Sequence, residues 1–90
     1  MSYGLRISPA TDRQIDAQPE PLRSFIRASL DRLAQNPTAV SHRAGSASRG
    51  QAAEFRFDRE GVSLWVTVRF LYGQDEQTLY VGHVEVEFAE

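Results

Sequence analysis

Five side chains in the second half of this chain have the types that metal-free cleavage of a phosphodiester needs. Strand alternation sends Glu54, Arg56, Arg69, His83 and Glu85 to one open face. There a carboxylate such as Glu54 accepts the proton of an attacking hydroxyl, and the His83 imidazole protonates the leaving oxygen. Arg56 and Arg69 hold the negative charge that develops between them. The same residues have a plainer reading, in which opposite charges on neighbouring strands pair across a solvated face and stabilise the sheet slightly. His83 divides in the same way, between a proton-transfer group and an ordinary mid-strand surface residue. Trp65, on the same face, suits stacking on a base, seating a partner residue, covering the sheet's edge or packing against the helical segment from another side. His42 and His83 are the only histidines and lie far apart in sequence, and there is no cysteine. Neither a metal site, a disulfide nor a cofactor is expected.

The elements that must position these residues follow from the apolar pattern. Tyr3–Ile7 alternates Tyr3, Leu5 and Ile7 against Gly4 and Arg6, a short strand. Ser8-Pro9 reads as an N-cap with proline at the first helical position, opening a helix to about Ala17. Gln18-Pro19-Glu20-Pro21 interrupts it. A second helix restarts at Pro21, with Leu22, Phe25, Ile26, Leu30 and Leu33 on one stripe, and stops at Asn36-Pro37. Residues 38–50 are small and polar and read as a mobile connection. Strands over Gln51–Asp58, Val62–Tyr72 and Thr78–Phe88, joined by short turns, make a three-stranded antiparallel meander. The expected class is α+β, in the order β-α-α-β-β-β. Strict alternation puts Phe55, Phe57, Leu64, Val66, Val68, Phe70, Tyr72, Tyr80, Val84, Val86 and Phe88 on the face that the helices cover. Leu79 and Val81 then fall on the polar face with His83.

Ninety residues hold one domain, 1–90, with a single modest core. No apolar run approaches the roughly 18 residues that a membrane helix needs. MSYGLRISPA has no apolar signal core, so the expected location is the cytoplasm. The net charge of −2 does not advertise nucleic-acid binding. All ten basic residues are arginine, which suits bidentate contacts to phosphate or carboxylate and is equally the mark of a coding bias. Residues 1–71 balance at +3 and residues 72–90 at −5, which disfavours phosphate near the C-terminal strand.

Several short motifs combine into a recognisable layout. Tyr3–Ile7 runs into Ser8-Pro9-Ala10. Gln18-Pro19, the stripe Leu22–Leu33 and the stop Asn36-Pro37 follow. Glu54-Phe55-Arg56 opens the central strands, and Val81-Gly82-His83 lies in the last one. Over nearly the whole chain this resembles the RelE/ParE superfamily, the small toxins of bacterial type II toxin–antitoxin modules. The resemblance implies a role in growth inhibition or plasmid stabilisation and a cognate antitoxin protein as partner. Its targets would be the ribosome and its mRNA, or DNA gyrase; a homodimer stays open. Departures fall where the family's cleavage chemistry sits. No arginine precedes Arg69 in its strand, Val84 follows His83 where a basic residue is common, and Phe88 stands where a tyrosine is usual. The expectation therefore leans towards protein binding or inhibition rather than enzymatic cleavage. A binding module that keeps the fold without the activity is the alternative, and a metal-free endoribonuclease is a third.

Overall fold

In the computed structural model, residues 2–37 and 51–89 are described. The connection 38–50, with His42 in it, lies outside them. The elements are β1 (Gly4–Ile7), α1 (Pro9–Asp16), α2 (Leu22–Gln35), β2 (Gln51–Arg59), β3 (Val62–Tyr72) and β4 (Thr78–Phe88). β2, β3 and β4 form the expected antiparallel meander. β1 adds a fourth strand, parallel to β4, so the sheet is mixed and runs β1-β4-β3-β2.

The helices begin where the local chemistry dictates. Ser8 caps α1, its Oγ accepting from the Thr11 amide at 3.2 Å, with Pro9 in the first turn. α2 starts one residue later than expected, because Pro21 stands outside the helix at the N-cap position. The Glu20 carboxylate takes the exposed Ser24 amide at 2.9 Å and so satisfies a free donor of the first turn. Arg27 ties the two helices together, reaching Asp12 and Asp16 of α1 at 2.8 Å each. Leu22, Ile26, Leu30 and Leu33 are buried against the sheet with Ile15 of α1, and the Phe25 ring lies 4.9 Å from that of Phe57. The apolar stripe of α2 thus does what its spacing implies. No helix among the described residues is long and apolar enough to cross a membrane.

Strict alternation fails in β4. Arg69 pairs with His83, but the next residue of β3, Phe70, pairs with Val81, leaving Gly82 without a counterpart. This is a β-bulge, and one extra residue reverses the parity of everything on its N-terminal side. Leu79 and Val81, expected on the polar face, are therefore core residues at 0% and 2% exposure. Tyr80, expected in the core, is 51% exposed on the opposite face. Beyond the bulge the expected parity returns, and Val84 is buried. Tyr72 and Phe88 keep the expected parity but lie at strand ends, where both are exposed. A glycine inside an otherwise good strand was the available signal.

The corrected parity separates two adjacent residues by experiment. Leu79→Ala is expected to cost about 2–5 kcal/mol, as truncation of a fully buried leucine does. Tyr80→Ala is expected to change stability by no more than about 0.5 kcal/mol. Urea denaturation of the two variants measures both values; strict alternation demands the reverse order.

Candidate functional site

The candidate residues occupy the sheet face turned away from the helices. Because of the bulge, Gly82 and His83 both project there, as does Tyr80, while Val81 and Val84 turn inward. Arg69 stands opposite His83, and Thr67 opposite Glu85. Arg69 Nε donates to Glu85 Oε1 at 2.9 Å, and His83 Nε2 lies 3.6 Å from the same oxygen. The hydrogen bond from Arg69 holds the Glu85 carboxyl below its ordinary range, against partial desolvation, and the nearby imidazole adds to this when protonated. Glu85 is therefore ionised at neutral pH, an acceptor shared by an arginine and a histidine.

The other two predicted site residues are held elsewhere on the same face. Glu54 is on β2 opposite Thr67, with β3 lying between it and His83. Arg56 faces Trp65, its guanidinium carbon 5.7 Å from the ring centre, and donates to Asp58 at 3.1 Å and Ser63 at 3.3 Å. Ser63 and Arg56 together hold the Asp58 carboxyl below its usual range, Ser63 contributing most. The structure thus brings Arg69 and His83 together with Glu85, and places Glu54 and Arg56 on the far side of the β3 backbone.

A groove of about 440 Å³ opens beside the cluster, between β1, β4 and β3. Arg69 and His83 form one end. Leu71 and Tyr80, directly opposite each other and each 51% exposed, form an apolar shelf. Arg6 of β1, the register partner of Tyr80, brings a second guanidinium to it. No carboxylate among the described residues pairs with Arg6. A Cβ built on Gly82 would meet nothing within 4 Å, so this position leaves the groove open. Arg6 and Tyr80 are the functional candidates that the sequence reading missed. Arg6 lies far away in sequence, and Tyr80 was assigned to the wrong face for want of the bulge.

Two guanidiniums beside an aromatic shelf suit a ligand that carries both an anionic group and a planar or apolar one. His83 is exposed at the groove, within reach of such a ligand. No group of three or more His, Asp or Glu side chains among the described residues is gathered for a metal ion.

Replacing Arg69 tests the electrostatics. In Arg69→Gln the Glu85 carboxyl is expected to titrate closer to its ordinary value, as followed by carboxyl 13C NMR. A carboxyl held low in the folded state stabilises the fold above its unfolded value, and the contribution is lost as pH falls through the folded one. The variant should therefore lose less stability than the parent on acidification through that window.

No protein-family profile matches the chain, and no curated protein matches it in sequence. Among solved structures it is similar to a double arginine-to-alanine mutant of the E. coli toxin RelE in the free state. The TM-score is 0.67 at 10% identity, over 93% of this chain and 82% of that one. At that identity the likeness speaks for architecture alone, and the chain has the fold of the toxin RelE.

Proposed function

We propose that this chain is the toxin-fold component of a type II toxin–antitoxin pair, a cytoplasmic growth inhibitor that an antitoxin protein holds inactive. The observation that carries this reading is the cationic groove of Arg6, Arg69, His83 and Tyr80 on the open face of a RelE-like sheet. Of the two targets, translation suits the groove better than gyrase. Unpaired RNA offers phosphates for the guanidiniums and a base for the Tyr80–Leu71 shelf.

The geometry favours holding RNA over cutting it. Cleavage without a metal needs a free carboxylate or an equivalent base beside the attacking hydroxyl. The carboxylate in contact with Arg69 and His83 is Glu85, which is already tied to Arg69. Glu54, the base expected from the sequence, stands across β3 from His83. A second reading, a partner-binding module without toxicity, draws on the same ion pair, because Glu85 takes up charge that a phosphate would otherwise meet.

Induced expression with and without the neighbouring gene separates the two. The toxin reading expects growth arrest that the neighbour relieves; normal growth at high soluble expression would leave only the binding module. Arg6→Ala should weaken binding of a single-stranded RNA oligonucleotide by about 10- to 100-fold if its guanidinium holds a phosphate. Gly82→Leu should abolish both arrest and binding by filling the groove, with the melting temperature retained, because its Cβ meets open space.

A further inference from the structure

A bulge is mobile in principle. Sliding the extra residue one place along β4 turns a different side chain outward. Here His83 faces Arg69 with Gly82 as the extra residue; were the extra residue His83 instead, Gly82 would stand opposite Arg69. α1 and its N-cap residue contact this stretch of β4 at three carbonyls. Thr11 Oγ1 donates to the Gly82 carbonyl at 3.0 Å, and Gln14 Nε2 donates to the Val84 carbonyl at 2.9 Å. The Ser8 amide donates to the Val81 carbonyl at 3.1 Å. Ser8, Thr11 and Gln14 recur every third residue, so they share the side of α1 that meets β4.

Thr11 is the centre of this arrangement. It is 3% exposed, one of two buried polar side chains among the described residues, in a helix otherwise buried through Ile15. The Ser8 hydroxyl donates to Thr11 Oγ1 at 2.7 Å, so the chain Ser8 to Thr11 to Gly82 carbonyl is completely hydrogen-bonded. A buried hydroxyl aimed at the carbonyl of the bulge residue is a specific requirement, because core packing alone is served by valine.

We propose that Thr11 and Gln14 are positioning residues for the groove: acting through the carbonyls of Gly82 and Val84, they pin the β4 bulge and so keep His83 beside Arg69. The functional consequence rests on the reading of the groove as the working surface; the structural claim does not.

The test uses the full chain in solution. The variants are Thr11→Val, which keeps the shape and removes the donor, Thr11→Ser, which keeps the donor, and Gln14→Leu. Ile26→Val, a core change remote from the bulge, is the stability control. The readouts are NMR contacts between the His83 ring and the Arg69 side chain, and backbone NMR contacts across the Arg69–His83 register pair. In Thr11→Val and Gln14→Leu both sets of contacts should be lost. Thr11→Ser and Ile26→Val should keep both signals. Unchanged signals in folded Thr11→Val and Gln14→Leu would overturn the proposal, as would equal loss in Ile26→Val. Should Thr11→Val fail to fold, Gln14→Leu decides, since Gln14 is exposed. If these signals respond as expected while the parent chain leaves growth unaffected, the positioning role stands and the toxin reading falls.

Discussion

Side chains alternate along a β-strand, so a single residue without a partner decides which side of the sheet its neighbours reach. In this protein that residue is Gly82, and both faces depend on it. On the helix side it lets Leu79 and Val81 close the core against β1, where Leu5 and Ile7 are their register partners. On the open side it brings Tyr80 out and sets His83 against Arg69. Without the bulge, Tyr80 would have to fit between the sheet and the helices, and two aliphatic side chains would lie in water. The hydrophobic effect therefore selects the bulged register, and the groove is its counterpart on the other face.

The helical layer holds this arrangement from behind. Arg27 couples α1 to α2 through two carboxylates, and the buried stripe of α2 anchors both to the sheet. Each exposed ion pair of this kind is worth little alone. Its value here is geometric, because α1 is only eight residues long and its polar side carries the contacts to Gly82 and Val84. A short helix with a divided surface, apolar at Ile15 and polar at Thr11 and Gln14, links the core to the open face.

Charge follows the same logic of placement. Residues 72–90 contain five acids and no arginine, yet the groove beside β4 is cationic. Arg6 arrives from β1 and Arg69 from β3, one on each side of β4. Of the acids on β4, Glu85 is engaged by Arg69, and Glu87 lies further along, opposite Trp65. A balance counted along the chain therefore misjudges the field that a ligand would meet, because the sheet interleaves segments that are distant in sequence.

Much of the fold was legible in the residues. Ser8-Pro9 capped its helix, the spacing of Leu22, Ile26, Leu30 and Leu33 selected the buried side of α2, and the turns at Gly61 and Gly73–Gln77 set the meander. These are local matters of dihedral preference, capping and periodicity, which a chain settles within a few residues of itself. The candidate site was legible in part: His83 and Arg69 were chosen for their chemistry and do meet, while Glu54 and Arg56 share their face but stand across β3 from His83. What the sequence determined by itself was which elements form and which residue types could act. Strand order, the parallel placement of β1, the position of the bulge and the meeting of Arg6, Tyr80 and His83 were decided only by the tertiary structure. They depend on hydrogen bonds and burial between segments more than sixty residues apart, such as Thr11 with Gly82, and no local preference encodes such contacts.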